Sequence, residues 1–405
     1  MPYWNDVTRI GTPYTTASGE RWRFALFNPR LIATNYTDEI QVFNIDSDTD
    51  FSNLAGSPPR ARYIDVVRDF VFLGAINGHE NRVHWSGIND AEFWTPGTQS
   101  CDFQDAPAGG PVKGIIGGAT AYVMQQQRVT RFNYVPGSTA IFQVDEVQGA
   151  KGLAASNSLV KIGDQAWYLS TEGFYWFDIV SGGQKPIGVN KWRTFFLNDL
   201  RAGTENEVLG AADPVNPVIL WAYVSRDNST VIPDRVLCYD RILDEASIFN
   251  VSVEAMTSWI TGDINMETMN SYGSIDTLPY SLDSPAWKLG TSTIGIFRND
   301  HKLSYLQGAN LAATVTTADG HKGQRELITA TRPAIDTSAA TVAVAMRERD
   351  GDTVTFNSAE AMEDTGTVPA WASGNIGRAK IQVPAGASWS LLKGIDTMSK
   401  ARGKR

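Results

Sequence analysis

Cysteine and histidine are scarce in this chain: two and four among 405 residues. Cys101 and Cys238 are too far apart for a metal knuckle and too few for a disulfide framework. Two idle thiols in a reducing compartment are therefore expected. No apolar run reaches the roughly 20 residues that span a bilayer as a helix. The most apolar stretch, Val112 to Met124, is broken by Lys113 and rich in glycine. The opening MPYWNDVTRIGTPY lacks the charged head and apolar run of a signal peptide. The chain thus reads as soluble, with no membrane insertion. Runs of Ala, Leu, Glu and Lys at a 3.6-residue period are also missing, which argues against a helical fold. Positive charge is in deficit, with a formal net charge of -9. Surfaces that grip duplex DNA are usually basic, so tight binding over a broad face is not expected.

What the chain does have is glycine, tryptophan and alternation. There are 36 glycines and 12 tryptophans. Six clusters of period-2 apolar segments begin near Arg21, Asp69, Ala121, Asp164, Asn216 and Thr293. Most starts lie roughly 40–50 residues apart, the spacing of four-stranded propeller blades. The last gap is longer and implies an insertion or a further blade. Each cluster reads as strand, tight turn, strand. AWYLS and GFYWFDI flank Thr171-Glu172-Gly173, and YVMQQQ and VTRFNYV turn around Gln126 to Arg128. Such units bury their faces only by stacking around an axis. The expectation is an all-β protein: one closed β-propeller of five to seven blades, its first and last blades shared between distant parts of the chain. Residues 1–20 read as an N-terminal arm and 21–319 as the propeller. Residues 320–390 read as an additional C-terminal β subdomain, with a strand, an Arg349–Asp352 turn and a further strand, and GRAKIQVPAGASWSLLKGID reads as one or two more. Residues 391–405 read as a basic tail. Lys393, Lys400, Arg402, Lys404 and Arg405 stand there against Asp396, so the tail is expected to be disordered when free.

Several motifs invite chemistry and fall short of it. His79 and His84 are five residues apart, whereas a helical zinc motif needs four. Asp46, Asp48 and Asp50 match the start of a calcium loop, but Phe51 stands where glycine is needed and Ser57 where glutamate is needed. No carboxylate pair is singled out for glycoside hydrolysis, and no nucleophile elbow, phosphate loop or dinucleotide fingerprint is present. Trp192, between Lys191 and Arg193, has the neighbours of a base-stacking ring but reads as a core aromatic. No enzyme, cofactor or metal is expected. The stretch HWSGINDAEFWTPG holds the structural motif Trp85, Asp90, Trp94, Pro96 and Gly97. Asp90 is expected to cap a short helical turn at AEFW, Pro96-Gly97 to end it, and both indoles to pack between neighbouring blades.

From Trp85 to about Gly188, four dissimilar pieces follow in order: WSGINDAEFWTPG, FQDAPAGGPVKGIIGG, AYVMQQQRVTRFNYV and GAKGLAASNSLVKIGDQAWYLSTEGFYWFD. In this order they resemble the tail nozzle or hub family of short-tailed bacteriophages, the packaged-DNA stabilisation proteins. RPAIDTSAATVAVAMRERDG and AGASWSLLKGID resemble the family's C-terminal strands more weakly. The resemblance implies a propeller subunit of a homo-oligomeric ring, usually a hexamer, in the virion tail after assembly in the host cytoplasm. It implies a portal or adaptor ring and tail fibres or spikes as partners. It also implies a channel that retains packaged double-stranded DNA and lets it pass at ejection without tight binding. The competing reading is a receptor-binding propeller that binds or cleaves host-surface glycan.

Overall fold

The computed structural model describes residues 5–17, 19–106, 108–138, 140–260, 292–306 and 309–401. The chain divides into two compact units at residues 306/307. The first is a β-propeller of six consecutive sheets. Sheet one holds β1 (Arg23–Phe27), β2 (Arg30–Thr34), β3 (Gln41–Asn44) and β4 (Ser52–Asn53). Sheet two holds β5 (Ala61–Val67), β6 (Phe70–Ile76), β7 (His79–Trp85) and β8 (Asp102–Asp105). Sheet three holds β9 (Val112–Ile116), β10 (Ala121–Gln125), β11 (Val129–Tyr134) and β12 (Phe142–Glu146). Sheet four holds β13 (Val160–Ile162), β14 (Gln165–Ser170), β15 (Gly173–Asp178) and β16 (Gln184–Pro186). Sheet five holds β17 (Leu209–Ala212), β18 (Val218–Tyr223), β19 (Arg235–Asp240) and β20 (Glu245–Asn250). Among the described residues sheet six holds β21 (Ala255–Ile260), β22 (Ser292–Phe297) and β23 (Leu303–Tyr305).

Every sheet is an antiparallel meander whose hairpins follow local chemistry. The β14–β15 register closes at Ser170 opposite Gly173, and Gly173 takes φ +125, a value that side chains oppose. The six apolar clusters of the sequence coincide with the six sheets, mostly at their second strands. The long final gap holds β21, which pairs with β22 from Ile260 opposite Ser292, and residues 261–291, which lie outside the described residues. One α-helix, α1 (Arg193–Asp199), follows sheet four. No helix among the described residues is long and apolar enough to cross a membrane.

The core lies in the seams between sheets. Ile32 and Leu54 meet Leu73 and Trp94 between sheets one and two. Phe72 and Trp85 meet Phe132 and Phe142 between two and three. Tyr122 meets Phe177 between three and four. Phe174 lies 4.2 Å from Trp221 between four and five, and Leu220 packs with Ile294 between five and six. Among the described residues no such cluster joins six to one, and no strand is shared between the chain's ends. The propeller is not closed, contrary to the expected ring with shared first and last blades. Alternation explains the outcome on sheet one: β1 turns Ala25 inward toward sheet two and leaves Phe24 and Leu26 55% and 54% exposed on its other face.

The second unit is one six-stranded sheet. Its strands are β24 (Ala313–Thr316), β25 (Gly320–Ile335), β26 (Thr341–Arg347), β27 (Glu360–Ala361), β28 (Val368–Val383) and β29 (Leu392–Ala401). The boundary falls before the expected residue 320 because β24 pairs with β28, Ala313 opposite Val383. Asp352 accepts the Arg349 amide at 2.9 Å within the expected turn. The strand expected next is reduced to the two residues of β27. The supposed tail is a strand through Ala401: β29 pairs with β25 from Glu326 opposite Ala401 to Ile335 opposite Leu392. Backbone pairing and the packing of Leu392 and Ile395 on the sheet's core hold it there. Residues 402–405 lie outside the described residues. The arm, described at 5–17, is tied to sheet one: Val7 accepts the Phe51 amide at 2.8 Å, and Asp38 accepts the Thr15 amide at 2.9 Å.

Candidate functional site

The first strands of consecutive sheets converge on a cavity of about 250 Å³. Sheet one supplies Arg23, with Glu20 and Arg21 just before it. Sheet two supplies Arg62 and Tyr63, and sheet three Lys113. The 3₁₀ turns Ser156–Ser158 and Glu205–Glu207, which lead into β13 and β17, complete the wall with Ser156, Asn157, Asn206 and Glu207. Sheet six reaches the site through Glu254, whose carbonyl accepts a hydrogen bond from Arg21 at 3.0 Å. Close approach of the inner strands needs small residues. A Cβ on Gly210 would stand 2.6 Å from Val160 and 2.7 Å from the Ser158 carbonyl. That same carbonyl accepts the Trp221 indole N–H at 2.9 Å, which pins the turn beside Asn157.

Four cations face two carboxylates across this cavity. Arg62 donates from Nε to both oxygens of Glu20 at 3.1 Å and from Nη1 to Glu80 at 2.7 Å. Burial works against its charge, but the hydrogen bonds and charge of these carboxylates outweigh it and raise its pKa. Arg21 stands 3.5 Å from Glu207. Arg23 donates to the Asn157 amide oxygen and lies over the Tyr63 ring at 5.0 Å. Tyr63 shares a 2.7 Å hydrogen bond with Ser156, and burial raises its pKa. Burial, and then the nearby Arg62 charge, lowers the pKa of Lys113. Chemically this is a polar, net-positive recess able to bind an anion.

The sequence gives little warning of these residues. One signal exists: a basic residue recurs at the second position of the first strand, as Arg62 in β5, Lys113 in β9 and Lys161 in β13. It becomes visible only when the sheets are aligned. Lys161 departs from the pattern by donating to the Gly117 carbonyl instead.

The motif expected from the sequence lies elsewhere. Trp85 and Trp94 are buried in the two seams flanking sheet two, and their indole N–H groups donate to Ser100 and Ala91 carbonyls at 2.9 and 2.8 Å. Asp90 accepts the Glu92 amide at 3.0 Å. It caps no helix, because the chain there makes only a turn, with Gly87 bridged to Asp90. Pro96 is exposed, and Gly97 takes φ +82 while donating to Cys101 at 2.8 Å.

His84 is buried, with its Nε2 3.7 Å from Cys101 Sγ, whereas His79 is exposed. Burial lowers the His84 pKa to about 4 and raises that of Cys101 to about 11. Near neutral pH the pair is imidazole and thiol, not an activated ion pair. Cys238 is half-buried and reduced. Asp48 accepts the Asn44 amide at 2.8 Å within its own turn. No group of three or more His, Cys, Asp or Glu side chains among the described residues is placed to hold a metal. Trp192 is buried beside Phe174 and Tyr239, and Lys191 reaches Glu245 at 3.1 Å, so neither is offered to a base.

No family model and no curated protein matches this sequence. Solved structures do resemble it. A chain of the mitotic checkpoint complex aligns over 72% of this chain and 75% of its own, at 7% identity and TM-score 0.39. The extracellular domain of a hybrid two-component system from B. thetaiotaomicron aligns over 76% of this chain and 35% of its own, at 13% identity and TM-score 0.38. The β-propeller domain of Myceliophteria thermophila Cps50 (Swd1) aligns over 62% and 92%, at 8% identity and TM-score 0.34. These likenesses carry no argument about function; the propeller is read from this chain's own six sheets.

Proposed function

We propose that this chain is a structural subunit of a phage tail nozzle, assembling into a ring around the path of the packaged DNA. The observation that carries the assembly is the aromatic face of sheet one, half-buried at Tyr14, Trp22, Phe43 and Phe51 and exposed at Phe24 and Leu26. Tyr14 and Trp22 lie 4.7 Å apart, Trp22 and Phe24 6.5 Å, and Phe43 and Phe51 5.3 Å, with Phe24 and Leu26 exposed. Contiguous exposed apolar surface marks a protein interface, and an open propeller leaves such a face on its first sheet. The phage assignment rests on the ordered resemblance across residues 85–188, and with it the hexameric copy number, the portal or adaptor ring and the fibres or spikes as partners. Size-exclusion chromatography with light scattering tests the reading. The wild type is expected to form rings of several copies, and Phe24→Ser with Leu26→Ser to shift the population to monomers. A wild type that stays monomeric at tens of micromolar overturns it. The second reading, a host-glycan-binding or glycan-cleaving propeller, draws on the axial cavity and requires a compact monomer or trimer that binds or cleaves glycan.

A further inference from the structure

The axial cavity holds a charge imbalance that the fold leaves unsettled. Arg62 is matched by Glu20 and Glu80, and Arg21 by Glu207. Arg23 and Lys113 are half-buried and, among the described residues, have no carboxylate within salt-bridge distance; Glu20 favours the charge of both, and Glu80 that of Lys113, only from farther away. The acceptor for Arg23 is a neutral amide and the surface beneath it a neutral ring. Cations removed from water without a counter-charge are destabilising. Burial draws both groups below their ordinary pKa, as this predicament requires. A bound anion would settle the imbalance with charge-assisted hydrogen bonds, the strongest such contacts available. The guanidinium fork suits planar or tetrahedral oxyanions, and an ammonium serves as a point charge for either.

We propose that this cavity binds a small oxyanion, a phosphate, sulfate or carboxylate group, between Arg23 and Lys113 with Ser156 and Asn157 at its edge. The volume of about 250 Å³ is below that of ordinary ligand pockets, so the oxyanion is free or carried on a small organic group. The inference goes beyond the ring-subunit reading and does not depend on it.

The test is calorimetric titration of the full chain with sodium phosphate, sulfate and citrate at constant ionic strength, with chloride as the reference. One saturable site is expected for at least one anion, and the preferred anion tells tetrahedral from carboxylate recognition. Lys113→Met is expected to weaken binding at least tenfold, and Lys113→Arg to keep it within about threefold. Asn157→Asp adds no bulk and places a carboxylate beside Arg23; it should abolish uptake while the protein stays folded by circular dichroism. Should Lys113→Met fail to fold, Asn157→Asp decides. No saturable site for any of the three anions overturns the proposal, as does binding that survives Asn157→Asp unchanged.

Discussion

Trp94 sits in the seam between the first two sheets, with Ala91 receiving its indole proton. Trp85 stacks on Phe72 at 5.6 Å in the next seam. Each ring excludes water from two sheets at once, so truncation leaves a cavity that neither sheet can collapse into. Trp85→Ala and Trp94→Ala are each expected to lose about 3–5 kcal/mol of stability, read from urea denaturation followed by circular dichroism. A variant with an unchanged midpoint would remove both rings from the structural account. Beside Trp94, at 5.5 Å, His84 gives a pH signature. Its pKa falls from 6.5 when unfolded to about 4 when folded, so the unfolded chain takes up the proton first. The neutral ring's contribution is therefore complete above about pH 6.5, declines as the pH falls, and is gone below about 4. The swing is up to about 3 kcal/mol. Melting curves of wild type and His84→Gln between pH 7.5 and 4.5 should converge toward acid. Parallel loss in the two proteins would show that His84 is not held neutral.

At the scale of elements, β29 is the informative case. It is an edge strand, exposed along most of its length, whose inner contacts come from Leu392 and Ile395. Deleting residues 392–405 uncovers the β25 edge over its nine paired positions, and an unpaired long edge invites association. The truncated chain is expected to aggregate and to lose protease resistance in its second unit; a monodisperse, equally resistant product would contradict this. Its first half, LKGID, closes the stretch that reads as one or two further strands, whereas TMSKA alternates too weakly to read as one, because one side of an edge needs no apolar residues. The second strands of the propeller were legible for the opposite reason. FVFLGAI and VILWAY are buried almost throughout and bounded by turn residues. The inner strands VKGII, VKI and LGAA carry glycine or lysine: Lys113 lines the cavity, Lys161 bonds the Gly117 carbonyl, and a Cβ on Gly210 would meet Val160 and the Ser158 carbonyl. That hid both the true starts of the sheets and the site. Arg23, Lys113 and Asn157 meet only through the stacking of sheets, which no local spacing encodes.

For the whole molecule, the acidic balance bears on nucleic acid. The net charge of -9 is spread over a chain whose cationic recess admits an ion and no duplex. The isolated protein is expected to show no measurable binding to double-stranded DNA at physiological salt, because a net negative chain gives phosphate contacts and counterion release little to act on. Fluorescence anisotropy giving micromolar or tighter affinity would contradict a channel that lets DNA slide. Among the described residues no apolar seam joins sheets six and one, and this has a further consequence for how the protein is made. Each sheet is complete from its own stretch of chain and packs its apolar core on its predecessor, so hydrophobic cohesion runs in a line as in a solenoid, while Arg21 and Arg23 add polar contacts across the cavity. Sheets can be added one at a time as the chain leaves the ribosome, with no wait for the C-terminus to return to the start. The two terminal sheets, each with one packed neighbour, should then exchange amide hydrogens first, and the middle of the array last.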